Sequence, residues 1–339
     1  MIVVGGTYTE VCYEPMWNHI YGSGLRAVHL ICELQLSKDV VFYTSCDDHE
    51  TSPYLNYFRS LYPRLSIVKH QITKGFEFYY DHPLKDPVII PSLENLTRNL
   101  IRVNEPNGNI LAFGMIESDL VLSGEKVVYD PQSTVRPISF KKNGSNAVEL
   151  ALVLNMSEAA KLSGEIKLDR ICAKIFDDES CSLLIIKDGA KGAYLFDGRN
   201  SDAETIPVFL TDRVWTIGSG DIFSTMFATC WFDGMSAKES AHHASLATAL
   251  YCNSKEISEV KNLSSDRFKP LHIVNVPSHQ VYLAGPFFTM AERWIINETW
   301  KSLRGFGLSV FSPFHDVGLG KADDVVKKDI QGLDVGCSL

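Results

Sequence analysis

Hydrophobic residues in the first 250 positions fall into short apolar runs that alternate with longer stretches of helical spacing. The short runs predict buried strands at Ile2–Val4, Val40–Tyr43, Leu65–Lys69, Asn109–Gly114, Lys126–Asp130, Val148–Leu154 and Leu183–Lys187. The longer stretches predict helices near Leu25–Leu36, Tyr54–Leu61, Ser157–Ser163, Ser219–Gly234 and Ala237–Cys252. Strands and helices that alternate in this way predict an α/β fold with a doubly wound, mostly parallel sheet.

Two further segments predict strands outside this alternation. Gly75–Tyr80 is a partly alternating aromatic stretch, which is typical of an exposed hairpin. Ile206–Leu210 is a short apolar run that contains Pro207, so we expect it at the edge of the sheet.

Composition excludes several classes of protein. The chain has 339 residues with 45% hydrophobic and 22% charged residues, which is typical of a globular protein with room for two domains. A net charge of −9 argues against nucleic acid as the main partner, because the phosphate backbone attracts a basic face. No run approaches the ~20 apolar residues of a membrane span, and the N-terminus lacks a basic leader, so we expect a cytoplasmic protein without membrane contact. The eight cysteines form no Cys-x-x-Cys pair, which favours reduced thiols.

The segment Thr216–Phe223 carries the clearest candidate chemistry. Gly218, Ser219 and Gly220 stand before a predicted buried helix, where free backbone N–H groups and the helix dipole favour an anion such as phosphate. Asp221 follows them and has the chemistry of a base that takes a proton from an attacking hydroxyl. A simple turn with a helix cap is the alternative interpretation of this short motif.

The order of the motifs resembles that of the ribokinase-like (PfkB) sugar and nucleoside kinases over about residues 1–253. The segments that carry the resemblance are Met1–Gly6, Asn155–Glu158 as an Asn-x-x-Glu motif, Asp188–Ala193 as a glycine turn, and Gly218–Asp221. The resemblance implies a small lid on the sheet, with ATP at the carboxyl ends of the strands.

The resemblance also implies the roles of individual residues. Asp221 is the base, and Gly218, Ser219 and Gly220 form an anion hole. Asn155 lies near the phosphates, Glu158 organises Mg²⁺ through water, and no residue is assigned as a direct metal ligand. Gly189 and Gly192 lie beside the nucleotide. A helix cap is the alternative role for Asn155.

The residues expected to bind the acceptor, the compound whose hydroxyl takes the phosphoryl group, depart from the family pattern. Glu10 stands where the family has an aspartate, and Trp215 stands where an aspartate is common. In the segment that begins with Gly22 and Gly24, Arg26 or its neighbour Ala27 replaces an asparagine. Arg26 is interpreted as a candidate partner for an anionic substrate such as a sugar or nucleotide phosphate.

Residues 254–279 lose periodicity and predict a linker, after which the pattern restarts. Val281–Phe288 predicts a strand entering a Gly-Pro turn, Ala291–Leu303 a helix, and Leu308–Pro313 another strand. Residues 280–339 resemble the nucleoside 2-deoxyribosyltransferases, through Tyr282–Pro286 and Phe311–Pro313.

The second resemblance implies a nucleoside site at Tyr282, Gly285, Pro286 and Asp329, but that family's glutamate nucleophile has no counterpart. We therefore expect an incomplete, Rossmann-like unit without covalent catalysis. A fragment of a longer protein is the favoured explanation, and a decayed interaction unit is the alternative.

Three functions remain open from the sequence. The first is ATP-dependent phosphoryl transfer to a hydroxyl of a sugar or nucleoside. The second is a sensor that binds a nucleoside or nucleotide with little turnover. The third is a deoxyribosyltransferase or nucleosidase in a full-length protein. A homodimer is one candidate assembly for any of them.

Overall fold

The structure, a computed structural model, describes residues 1–94, 96–133, 137–199, 202–263, 268–271, 280–305, 308–318, 325–330 and 332. Contacts between Cα atoms divide the chain into two units. The first unit comprises Met1–Lys187 and Ala193–Pro270, and the second comprises Asp188–Gly192 and Leu271–Leu339.

The first unit contains most of the strands and helices that the hydrophobic pattern predicts, together with elements that it does not predict, such as the helix Leu168–Glu179 and the strand Ala193–Asp197. Its strands are β1 (Ile2–Val4), β2 (Thr9–Cys12), β3 (Trp17–Ile20), β4 (Val40–Cys46), β5 (Leu65–Gln71), β6 (Glu77–Tyr80), β7 (Val88–Ile90), β8 (Asn99–Phe113), β9 (Ser118–Asp130), β10 (Asn146–Asn155), β11 (Leu183–Lys187), β12 (Ala193–Asp197) and β13 (Glu204–Ile206). Its helices are α1 (Gly22–Glu33), α2 (Thr51–Leu61), α3 (Met156–Ser163), α4 (Leu168–Glu179), α5 (Ser219–Phe232) and α6 (Ala237–Ser254).

The main sheet has nine strands in the order β13-β12-β11-β10-β9-β8-β1-β4-β5. Every neighbouring pair from β11 to β5 is parallel, and among the described residues only β12 and β13 join this sheet in antiparallel fashion. Successive residues of β1 belong to different cores, since Val3 packs with α1, α5 and α6 while Val4 packs on the opposite face. The sheet is thus covered on both faces, and the predicted α/β class with a mostly parallel sheet is confirmed.

The aromatic stretch at Gly75–Tyr80 forms part of a separate four-stranded sheet in the order β3-β2-β6-β7. Strands β6 and β7 pair in antiparallel fashion, which confirms the predicted hairpin, and β6 also pairs parallel with β2. This small sheet is the structural counterpart of the expected lid.

The strand predicted at Ile206–Leu210 is wrong in its position. Strand β13 occupies Glu204–Ile206 and ends before Pro207, whose nitrogen has no hydrogen to donate to a ladder. Farther along, Phe209 forms only an isolated bridge with Pro270. The prediction of an edge position is correct, because β13 is the outermost strand of the main sheet.

The second unit contains two short parallel strands, β14 (Val281–Tyr282) and β15 (Val310–Phe311), and helix α7 (Met290–Gly305). Both strands are shorter than the runs that predicted them, since the residues that follow Tyr282 and those that precede Val310 have no regular secondary structure. A further short helix covers residues 325–330. Residues 333–339, where the third strand of the transferase family is expected to start, lie outside the described residues.

None of the helices in the described ranges is long and apolar enough to cross a lipid bilayer.

Candidate active site

A cavity of about 440 Å³ lies in the first unit, at the carboxyl ends of the parallel strands. Gly114 directly follows β8 and Pro131 directly follows β9, and both line the cavity. The lid sheet supplies another part of the wall through Glu10, Phe78 and Tyr80. A crevice at this edge of an open α/β sheet is the usual place for a ligand.

Helix α5 begins at this cavity and carries Asp221 in its first turn. Gly218 precedes the helix in a left-handed conformation with φ of 77°, which glycine adopts without steric strain. Gly218 and Asp221 both line the cavity, while the helix behind them is anchored by buried apolar side chains such as Ile222 and Phe227. The Ser219 N–H donates to the Thr216 carbonyl at 3.0 Å, so this predicted anion-hole donor already has a partner.

Arg26 joins two carboxylates that are far apart in the sequence. Its Nη1 donates to Oδ2 of Asp221 at 2.5 Å, and its Nη2 donates to Oε2 of Glu10. The other oxygen of Glu10 accepts the Gly22 N–H at 3.0 Å. All three charged side chains are at least nine-tenths buried, so this ion triad is shielded from water. Arg26 Nε has no hydrogen-bond partner among the residues that the structure describes.

Burial raises the pKa of Asp221, and this effect outweighs the opposing influence of the Arg26 guanidinium and of the hydrogen bond from Gln132. Burial likewise raises the pKa of Glu10 despite its pairing with Arg26. A carboxylate with a raised pKa is a stronger base than one in water, which favours Asp221 as a proton acceptor.

Gln132 covers the second oxygen of Asp221. Its Nε2 donates to Asp221 Oδ1 at 2.5 Å, and the residue lines the cavity. Its backbone is left-handed, with φ of 41°, which is uncommon for a residue other than glycine.

A second polar cluster lies beside the start of α5. Lys187 Nζ donates to Asp130 Oδ2 at 2.9 Å, and Ser224 Oγ donates to the same oxygen at 2.7 Å. A Cβ added to Gly220 would lie 3.4 Å from Lys187 Nζ, so the ammonium stands close to the first turn of α5. Asp130 Oδ1 is buried and has no hydrogen-bond partner within the described ranges.

Glu158 belongs electrostatically to this cluster. Burial, with the nearby Asp130 charge, raises its pKa to about 7, although Lys187 acts in the opposite direction. Within the described part of the chain, no three His, Cys, Asp or Glu side chains converge to hold a metal. Asp130 and Glu158 instead fit the pattern of Mg²⁺, which takes few protein carboxylates and completes its shell with phosphate and water.

Asn155 and Glu158 form a reciprocal cap at the start of α3. Asn155 Oδ1 accepts the Glu158 N–H at 2.8 Å, and Glu158 Oε2 accepts the Asn155 N–H at 2.8 Å. The alternative role of Asn155 as a helix cap is therefore observed, while its predicted place near a phosphate stays a prediction.

The other predicted site residues lie in different surroundings. Gly22 lines the cavity with φ of 71°. Gly24 faces the backbone of Gly5, where a Cβ would lie 2.6 Å from the Gly5 carbonyl oxygen. Gly189 and Gly192 belong to the turn between β11 and β12 and have φ of 55° and 90°.

In the second unit, Tyr282 donates a long hydrogen bond of 3.3 Å to Oδ1 of Asp329, so the structure brings these two predicted residues together. Gly285 packs near Ile296, and its neighbour Pro286 is exposed.

Sequence reasoning missed Asp130, Gln132 and Lys187 as site residues. The signal for Asp130 was present, because it ends a predicted strand and precedes a proline at the edge where ligands bind. Lys187 likewise ends the predicted strand at Leu183–Lys187. No pattern marked Gln132, whose hydrogen bond joins residues 89 positions apart.

Residues 129–261 match the model of the pfkB family carbohydrate kinases. This part of the chain is similar to the pfkB family carbohydrate kinases. The match includes Asp130, the Asn155–Glu158 motif, Lys187 and Asp221. No curated protein matches the chain.

Solved structures of ribokinase-like proteins share the fold at low sequence identity. Ribokinase from Thermotoga maritima has a TM-score of 0.54 and 15% identity, over 76% of this chain and 94% of that chain. A pyrophosphate-dependent kinase of the ribokinase family, in complex with a pyrophosphate analogue and myo-inositol, has a TM-score of 0.54 and 14% identity, over 78% and 100%. Fructokinase from Vibrio cholerae, with fructose, ADP and calcium bound, has a TM-score of 0.55 and 12% identity, over 77% and 95%. The fold of this chain is ribokinase-like.

Proposed function

We propose that this protein transfers the terminal phosphoryl group of ATP to a hydroxyl of a sugar or nucleoside, with Asp221 as the general base. The carrying observation is the position of Asp221, which lies in the first turn of α5 and in the wall of the cavity. A hydroxyl bound in that cavity would meet the carboxylate that must take its proton, beside a helix N-terminus that favours the transferred phosphoryl group.

The donor end is supported by charges of both signs near the same helix turn. Lys187 offers an ammonium beside Gly220, and the unpartnered Asp130 oxygen and the Glu158 carboxyl fit a magnesium ion that is shared with phosphates. When bound, Mg²⁺ would neutralise charge on the phosphates. The fructokinase of similar fold contains ADP and a calcium ion, which agrees with a nucleotide donor and a divalent cation.

The acceptor end favours a neutral substrate. The two terminal nitrogens of Arg26 are held by Glu10 and Asp221, and this triad carries a net negative charge when both acids are ionised. A phosphate on the acceptor would meet that charge, so the interpretation of Arg26 as a partner for an anionic substrate loses its support. Arg26 instead holds Asp221 in place.

The test is a panel of unphosphorylated sugars and nucleosides with ATP and Mg²⁺, in which the phosphorylated product is measured. Asp221→Asn should lower turnover by roughly 10²–10⁴-fold and leave ATP binding near the wild-type value, because a base acts on the rate. Asp233→Asn is the matched control, since this exposed aspartate caps the other end of α5. Equal turnover in wild type and Asp221→Asn would overturn the assignment.

A nucleotide or nucleoside sensor is the second candidate, and one observation favours it. Both oxygens of Asp221 accept hydrogen bonds, from Arg26 and Gln132, so the base is occupied in the structure. A sensor would bind ATP or a nucleoside and form no phosphorylated product across the whole panel.

For the second unit we propose nucleoside binding by Tyr282 and Asp329, without glycosidic bond cleavage. Their hydrogen bond forms one polar contact point, and neither the tyrosine nor the aspartate matches the glutamate nucleophile of the transferases. The test incubates the chain with deoxynucleosides and measures free base. Base release that Tyr282→Phe or Asp329→Ala abolishes would contradict this proposal.

A further inference from the structure

The Gln132 side chain occupies the position on Asp221 that an attacking hydroxyl needs. Its Nε2 donates to Asp221 Oδ1 at 2.5 Å, while Arg26 holds the other oxygen. Oδ1 is therefore the oxygen that a hydroxyl in the cavity would reach, and in the structure an amide N–H is bound there.

The backbone that presents this amide is unusual. Gln132 has φ of 41°, which places a side chain with a Cβ in the sparsely populated left-handed region. Such conformations persist only where surrounding contacts determine them, and they occur often at functional sites. Here the hydrogen bond to Asp221 holds the Gln132 side chain, and Pro131 and Gln132 both line the cavity.

A base beside bound ATP makes a side reaction possible, because a water molecule can attack the phosphoryl group in place of a sugar hydroxyl. In that side reaction the water oxygen bonds to the γ-phosphorus and the bond to the bridging oxygen breaks. ADP leaves with the bonding electron pair, and the water proton passes to Asp221. The side reaction therefore needs the same free carboxylate oxygen as the productive one.

On the basis of the phosphoryl transfer proposed above, we propose that Gln132 is a positioning residue that caps Asp221 until an acceptor hydroxyl replaces its amide, and that this cap suppresses ATP hydrolysis. An acceptor in the cavity displaces the amide because its other groups contact the cavity wall and hold its hydroxyl at Oδ1. A single water molecule has no such additional contacts. The cap thus makes deprotonation by Asp221 depend on the acceptor.

Gln132→Met tests the cap because methionine is close to glutamine in size and has no N–H donor. Gln35→Met is the matched control, since Gln35 is exposed, lies after α1 and has a similar left-handed φ of 52°. Phosphate release from ATP and Mg²⁺ is measured without any acceptor, and ATP affinity is measured separately by calorimetry.

We expect Gln132→Met to release phosphate at least tenfold faster than wild type, with ATP affinity unchanged and with Gln35→Met equal to wild type. Adding Asp221→Asn to Gln132→Met should abolish the increase. If ATP binds and Gln132→Met releases phosphate at the wild-type rate, the proposed role of Gln132 is wrong, while the proposed kinase activity is not contradicted. If the wild-type protein fails to bind ATP, the proposed kinase function is wrong, and the proposed role of Gln132 is wrong as well.

Discussion

Arg26 donates a 2.5 Å hydrogen bond to Asp221, a residue 195 positions away in the sequence. The partner on its other side, Glu10, belongs to the lid sheet, so one guanidinium links helix α1 to both the lid and the start of α5. The candidate base is held by a contact between distant parts of the chain.

Removing this arginine should destabilise the protein strongly. Arg26→Met would leave Glu10 and Asp221 as neighbouring buried carboxylates without a cation, and we expect a loss of about 3–5 kcal/mol in the free energy of unfolding. Adding Glu10→Gln should recover part of that loss, because one of the two uncompensated charges disappears.

Denaturant titration measures the free energy of unfolding of Arg26→Met and of the double variant with Glu10→Gln. Arg102→Met, an exposed position on β8, is the control and should change stability by less than about 0.5 kcal/mol. A loss for Arg26→Met as small as that of Arg102→Met would show that the triad contributes little.

Gly218 should tolerate no side chain. A Cβ at this position would need a left-handed backbone and would overlap the Arg26 guanidinium. Gly144 has a similar φ of 90°, and a Cβ added there would have no atom within 4 Å, so Gly144→Ala reports the backbone effect alone. We expect Gly144→Ala to cost about 1–2 kcal/mol and Gly218→Ala clearly more, as measured by thermal unfolding. Equal losses of stability in Gly218→Ala and Gly144→Ala would mean that the Arg26 side chain moves away from the new methyl group at no cost.

Glu117 should make stability depend on pH. Burial raises its pKa to about 7, although Tyr8 donates a 2.8 Å hydrogen bond to its Oε2. The folded protein therefore binds more protons than the unfolded chain between about pH 4.3 and 7, and stability falls as pH rises through that window.

Glu117→Gln removes this titration. Its stability relative to wild type should rise between pH 5 and pH 8 by up to about 3 kcal/mol, measured by urea unfolding at each pH. The exposed Glu105→Gln is the control and should show a flat difference. If the stability of Glu117→Gln relative to wild type does not change between pH 5 and pH 8, the Glu117 carboxyl is ionised throughout that range.

Asp130 should govern the requirement for a divalent cation. Asp130→Asn removes the charge of a buried carboxylate whose Oδ1 has no partner among the described residues, and we expect Mn²⁺ affinity in the presence of ATP to fall by about 10–100-fold. Electron paramagnetic resonance of Mn²⁺ measures this without turnover. The exposed Asp119→Asn should bind Mn²⁺ as wild type does.

Local patterns predicted the framework of the site better than its contacts. Helix α5 lies within two residues of the prediction, because its apolar residues recur at helical spacing right after the two glycines. The position of strand β13 could not be predicted as well, because Ile206–Leu210 forms one apolar run while Pro207 ends the hydrogen-bonded ladder inside it.

The pairing of Arg26 could not be predicted for a physical reason. Its sequence neighbours indicate a buried helix but do not specify which carboxylates the fold brings to the guanidinium. Gln132 is similar, since it lies in a loop after β9 and gains its role only when α5 packs beside that loop.

Gly5 and Gly24 set the distance at which α1 lies from the end of β1. A Cβ on Gly24 would lie 2.6 Å from the Gly5 carbonyl carbon, and one on Gly5 would lie 2.7 Å from the Gly24 Cα. Because Arg26 lies two residues after Gly24, any larger side chain at either glycine would shift the guanidinium away from Asp221. Variation at Gly5 and Gly24 is therefore restricted by the position that Arg26 keeps beside Asp221, although neither glycine is among the residues that line the cavity.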